Sequence, residues 1–333
     1  MAAPFNPEDL EIAANARNRI LHWYNNRFPS FSKMPKSGLF HYTSADGLRG
    51  IIEQNELWAT SAYFLNDSSE IAYGYYLLKE AFETWISRNE PHQETLCVHL
   101  AEEFQRSFGT RLERGALEPI YLFCCCEEPD VLSQWRAYAQ SGYSCELDPG
   151  NTPSHGLQPQ IKVYTSRWVK VVYERKVQIE ICHDFLNSID AILSDPATEQ
   201  AISAVESHGI FGAAGILKIL GDIFLEEIAA FKDKVFENEK EWRLVVRRRE
   251  LMKQGSDNNQ SDPSHLYFRS SHGMIVPYVK ILPAGSSNKL PIKSIHCGPS
   301  AAQGIRGVAI RMMLEKENFT DVSVHESTIP TRF

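Results

Sequence analysis

The chain has 333 residues, 43% of them apolar and 23% charged, and carries a net charge of −8. That composition is ordinary for a globular protein, and the acidic balance argues against a protein-wide nucleic-acid footprint while leaving room for a local basic groove. The N-terminus turns acidic at Glu8 and Asp9 without the basic and apolar regions of a signal peptide. The longest apolar stretch, 209–231, is broken by Lys218, Asp222, Glu226 and Glu227, so a cytoplasmic chain with no membrane span is expected.

Asn6 can cap a first helix, Pro7 suits its first turn, and Ile12, Ile20, Trp23 and Tyr24 give it an apolar stripe to about residue 27. Residues 1–36 are read as this N-terminal helical segment and 37–333 as a single domain. The domain opens with a strand at 39–43, after which Ser44 caps a helix that presents Leu48, Ile51 and Ile52 on one face. Two helices follow, at about 68–87 and 94–114. The run IYLFCCC then reads as a buried strand. Its three adjacent cysteines alternate faces, which is poor geometry for one metal ion. The seven cysteines form no C-x-x-C pair, as expected of buried thiols in a reducing compartment.

Pro129 marks the start of a helix on which Trp135 and Tyr138 lie three apart, and Ser141-Gly142 turns the chain into the strand YSCELD. One or two strands span 161–174. Residues 175–234 read as a helical insertion, and EWRLVVRR returns to the sheet, with Arg247 to Arg249 as a solvated strand end. After a polar loop at 253–264 come the strands MIVPYVKIL and IKSIHCG, a helix at 301–317 and a last strand, DVSVHES. No regular βαβ repeat appears, so the fold class expected is α+β, a mixed or antiparallel sheet with flanking helices and a helical insertion.

Phosphate-binding, dinucleotide-binding, zinc-protease and nucleophile-elbow motifs are all absent. Five segments carry polar groups that local structure does not demand. His41 and Thr43 share one strand face, with Tyr42 on the other. Asp67 and Glu70 form a helix capping box, which leaves Asn66 unexplained. Arg136, beside Trp135, has the fork geometry for a phosphate. Glu239, Glu241 and Arg243 alternate at a strand start, a carboxylate pair suited to a cationic sugar centre. In SIHCGPSAA a Gly-Pro turn precedes a helix that Ser300 can cap, a weak anion site.

Taken in order, His41-Tyr42-Thr43, Asn66-Asp67-Glu70, Phe123, Trp135-Tyr138-Gly142, Glu239-Glu241-Arg243 and Gly298-Pro299 resemble the bacterial domain-of-unknown-function 2971 family. The opening HYTSADGLRGIIEQNELWAT is more distantly similar to the first strand and helix of ADP-ribosyltransferases, including the DNA-modifying toxin type. This second resemblance implies an ADP-ribosyltransferase-like core and NAD as substrate, with no metal. It makes His41 the ribose contact, assisted by Thr43, and Tyr42 an aromatic wall. Glu241 becomes the catalytic carboxylate with Glu239 orienting the acceptor, while Arg136 grips the pyrophosphate. Asn66 and Arg243 complete the cofactor-binding set. Loss of nicotinamide would pass through an oxocarbenium-like state stabilised by Glu241, with a nucleic-acid base, a protein side chain or water as acceptor, in a setting such as bacterial defence or toxin biology. Two alternatives stand beside it. One is a non-catalytic binding or sensing module on the same fold. The other is a metal-dependent nucleic-acid-processing enzyme using Asp67, Glu70, Glu239 and Glu241. A homo-oligomer is left open.

Overall fold

The computed structural model describes residues 38–65, 70–88, 96–113, 120–139, 142–149, 157–159, 164–194, 221, 224–248, 266–271, 273–283, 288–300 and 303–330. The expected N-terminal helix, Asn66 with its capping box, the polar loop and most of 195–223 lie outside them.

An α+β fold is built on a sheet that has eleven strands among the described residues, their ladders antiparallel except for that of the last strand. The strands are β1 (Leu39–Thr43), β2 (Leu57–Ser61), β3 (Ile120–Cys126), β4 (Tyr143–Leu147), β5 (Leu157–Pro159), β6 (Tyr164–Lys170), β7 (Glu241–Arg248), β8 (Tyr267–Ser271), β9 (Met274–Pro283), β10 (Ile292–Cys297) and β11 (Ser323–Glu326). The main path runs β11-β10-β4-β1-β3-β2-β9-β5; β7 and β6 extend from the other edge of β3, and β8 pairs with β9.

The helices α1 (Ala45–Gln54), α2 (Glu70–Arg88), α3 (Leu96–Glu113), α4 (Arg175–Ser194) and α5 (Gln303–Lys316) cover both faces of this sheet. One face carries Leu122, Val169 and Val245 against Leu77, Leu78, Phe104, Phe108, Phe185 and Phe224 from α2, α3, α4 and residues 224–228. The other carries Leu39, Phe123 and Leu244 against Leu48 and Ile52 of α1 and Ile310 and Leu314 of α5. Strand alternation sorts the side chains: Leu122 and Cys124 point to the first face, Phe123 and Cys125 to the second.

Several local expectations hold at atomic level. Ser44 Oγ accepts the Gly47 N–H, capping α1. At Gly47 a Cβ would fall 2.0 Å from Thr43 Oγ1, so glycine lets the helix start lie against β1. Three expectations need correction. LWATS, LQP and YFRSS form β2, β5 and β8, strands not expected from the sequence. The segment after Pro129 is one short turn, Leu132–Gln134, continued by a π turn, Trp135–Ala139. Trp135 is therefore buried while Tyr138 is exposed, because residues three apart no longer stack on one face. Arg247 is no solvated strand end: it pairs with Glu226, as Arg167 does at 2.9 Å, and these pairs fasten residues 224–228 to β6 and β7.

Candidate functional site

One edge of β3 is divided between two partners. Cys126 pairs with Phe40 of β1, whereas Leu122 and Tyr121 pair with Thr60 and Ser61 of β2. Between them lies a gap in the ladder, and His41 fills it. Its Nδ1 lies 2.8 Å from the carbonyl of Cys124, and its ring stacks on Phe123 with centroids 4.3 Å apart. A carbonyl only accepts, so Nδ1 carries the proton in the neutral ring and Nε2 is left as an acceptor. Burial pushes the imidazole pKa down to about 4. The Cys124 carbonyl partly opposes that shift, and the Arg269 charge adds to it.

Arg269 of β8 is on the same sheet face as Thr60, because Tyr267 and Thr60 both pair with Tyr278. Its Nη2 donates to Thr60 Oγ1 at 2.9 Å, and its Nε is buried with no hydrogen-bond partner. Among the described residues no carboxylate pairs with it, and burial lowers its pKa. A buried guanidinium N–H without a partner is uncommon, and an anion is the acceptor that suits it. Beyond it on the same face, Trp58 stacks on Tyr278 at 4.4 Å, Tyr267 lies 5.6 Å from Tyr278, and Lys280 sits 4.5 Å above the Tyr267 ring.

The second cluster lies across β3. Asp233 caps the 3-10 turn Lys234–Glu239, and Lys240 in the left-handed region (φ 43°) then swings the chain into β7. Glu239 and Glu241 are thereby set on either side of the Lys232 ammonium, with Glu241 at 3.0 Å. Arg243 meets Glu241 with two donors, at 2.9 and 3.0 Å, and gives a third to the Ala229 carbonyl. Tyr138 donates to Glu239, and the Tyr173 hydroxyl accepts the Glu241 N–H. Arg243 is only 1% exposed. Burial would raise the Glu241 pKa, but Arg243 and then Lys232 outweigh it and hold the group ionised, at about 2. Two cations and two carboxylates leave the cluster near neutrality.

The register decides which of these groups meet. Phe40 and Glu241 both pair with Cys126, Arg243 with Cys124, and Val245 with Leu122, so Glu241 and Arg243 point to the first face. His41 leaves β1 on the opposite side, with Leu39. Both touch Cys124, from opposite sides of the strand: His41 at the carbonyl, Glu241 at the thiol, which donates to it. The expectation that His41 and Glu241 line one cleft is therefore corrected. Tyr42 likewise faces away from His41; its hydroxyl donates to the Glu128 carbonyl and accepts the Val131 N–H, and its ring meets Trp135 edge-on. Thr43 abuts Gly47 at the start of α1. Arg136 is exposed on the π turn. Arg243 is buried, with three of its N–H donors on Glu241 and Ala229, and so is not presented to a cofactor's phosphate. The glycines of the expected signature have packing reasons. At Gly142 a Cβ would fall 2.4 Å from the Thr43 carbonyl and 2.6 Å from that of Ala139, and Arg306 bridges the carbonyls of Gly142 and Gly298.

Lys232, Thr60, Cys124 and Arg269 were missed in sequence. Arg269 offered one signal, a cation directly after two aromatics, Tyr267 and Phe268. Among the described residues no group of three or more His, Cys, Asp or Glu is set to hold a metal ion, and no helix is long and apolar enough to cross a membrane. No family model matches the chain, and neither a curated protein nor a solved structure matches it.

Proposed function

We propose that the gap between β1 and β2 is the anchor of a binding site for a pyrophosphate-linked dinucleotide of the NAD type, on an ADP-ribosyltransferase-like fold. The observation that carries this reading is the Arg269 guanidinium, partly desolvated, with no carboxylate partner among the described residues and with a buried Nε that has no hydrogen-bond acceptor. A pyrophosphate oxygen supplies what that donor set lacks. His41 enters the same gap from the opposite sheet face, close enough for the Arg269 charge to lower its pKa, and its neutral ring with Nε2 as acceptor suits a hydroxyl rather than a second phosphate. Calorimetric titration of NAD into the wild type and Arg269→Gln tests this. The affinity should fall about ten-fold or more in the variant, since a charge-assisted hydrogen bond contributes about 1.5–3 kcal/mol. NAD that does not bind, or binds equally to both forms, would falsify the proposal.

One observation favours a second reading, in which bound NAD is cleaved or its ADP-ribosyl group transferred to a nucleic-acid or protein acceptor. Glu241 is ionised, and the pairing of Thr60 with Leu122 puts Arg269 on the sheet face that also carries Glu241. Its charge is matched by Lys232 and Arg243, so stabilising an oxocarbenium centre would require Lys232 to turn toward Glu239 alone. Nicotinamide release from NAD by the wild type, abolished in Glu241→Gln, is the result this reading requires. Binding without any release leaves the non-catalytic module.

A further inference from the structure

The face of β2, β9 and β8 next to Arg269 carries a feature that the anion anchor does not explain. Trp58, Tyr278 and Tyr267 form a continuous aromatic layer across three antiparallel strands, stacked at 4.4 Å and then tilted at 5.6 Å. Tyr278 is buried beneath its neighbours, whereas Trp58 and Tyr267 keep part of their surface in solvent. Glu56 closes the layer at one end: its Oε1 accepts from the Trp58 indole at 2.8 Å and pairs with Lys280 at 2.9 Å. Those two contacts fix the indole plane, so Trp58 is oriented before any ligand arrives. They both use Oε1, which, among the described residues, leaves Oε2 of this largely buried carboxylate as an acceptor. A flat ring system stacks on such a layer, an exocyclic amine matches the Glu56 carboxylate, and a phosphate attached to that ring reaches toward Arg269.

We infer that the Trp58–Tyr267 layer is a nucleobase subsite, for an amino-bearing base such as adenine, continuous with the anion anchor at Arg269. This rests on the dinucleotide-binding reading and names the half of the ligand that Arg269 cannot select. The same chemistry occurs in a free nucleotide and in a single strand of nucleic acid, and one set of titrations separates them. Inorganic pyrophosphate, nicotinamide mononucleotide, ADP and a short oligo(dA) are titrated into the full chain, followed by calorimetry and tryptophan fluorescence. ADP should bind roughly ten- to a hundred-fold tighter than pyrophosphate, the range expected for one stacked base. Nicotinamide mononucleotide should gain little over pyrophosphate. Trp58→Leu should remove the ADP advantage without moving the pyrophosphate affinity, and Trp58→Phe, which keeps a stacking ring and guards against a folding defect, should retain most of it. Equal affinities for ADP and pyrophosphate, or an advantage that survives Trp58→Leu, overturn the subsite. So does oligo(dA) binding when ADP does not bind, which makes the layer a strand-binding surface. Pyrophosphate binding lost in Arg269→Gln with no ADP advantage leaves the anion anchor standing and this inference failed. A Trp58-dependent ADP affinity that is intact in Arg269→Gln keeps the subsite and removes the anchor.

Discussion

Replacing Glu241 by glutamine tests whether the buried cluster is held together by its charges. The carboxyl pKa is depressed from 4.5 to about 2, which at about 1.4 kcal/mol per pH unit corresponds to about 3 kcal/mol. Because the folded pKa lies below the unfolded one, the unfolded chain takes up the proton first as pH falls. The contribution is therefore whole above about pH 4.5 and is lost between there and about pH 2. Glu241→Gln also leaves Arg243 and Lys232 facing a neutral amide, and breaking one side of a buried pair costs about 3–5 kcal/mol. Urea unfolding at pH 7, 5, 4 and 3 reads both effects. The variant should be about 3 kcal/mol less stable at pH 7, and the difference from wild type should narrow steadily below pH 4.5. A difference under about 1 kcal/mol at pH 7, or one that stays constant down to pH 3, would show that the charges of this cluster are not what fastens residues 229–240 to β7.

Three further outcomes are expected. Nitrogen-15 spectra of His41 should show a neutral ring protonated at Nδ1 from pH 8 down to pH 5, with titration near pH 4; a midpoint near 6.5 would contradict its place in the gap. Gly142→Ala should cost more than about 2 kcal/mol by denaturant unfolding, because the new methyl meets two backbone carbonyls that no rotamer change can move; a loss under 0.5 kcal/mol would mean the two loops are not clamped. Burial pushes the thiols of Cys124, Cys125 and Cys126 upward, Cys126 to about 12, so a disulfide reagent at pH 8 should modify them only as fast as the chain unfolds.

The parts of this fold that declare themselves in sequence are those with strong local physics. The apolar run of β3, the β-branched run within β7 and the Ser44 cap are legible because each depends on neighbours along the chain. β2 and β8 are not. LWATS is buried at four of its five positions and so lacks alternation, and YFRSS ends in two serines. A turn signal was present all the same: Gly273, between β8 and β9, adopts φ 77°, a conformation that favours glycine. The site failed to declare itself for a different reason. Alternation correctly separates His41 from Tyr42 and groups Glu241 with Arg243, but which face of one strand matches which face of another depends on the pairing of Phe40 and Glu241 with Cys126. No single strand encodes that register. Lys232 was equally hidden, since it meets Glu241 only after the left-handed turn at Lys240 reverses the chain.

The strand order sets a schedule for biosynthesis. β1, the first strand to leave the ribosome among those described, lies inside the sheet and must wait for both β3 and β4. β4 in turn presents a bare edge until Ile292–Cys297 is made, and the parallel strand β11 closes that side last, with Ser327 and Thr328 tied to Asp130. Such non-local pairing folds slowly and exposes unpaired edges while it does so. A nascent chain arrested before residue 292 would carry its hydrophobic core half covered, with β4 free to recruit a strand from another molecule. Any truncation from the C-terminal side should therefore be judged by its aggregation before its activity is measured.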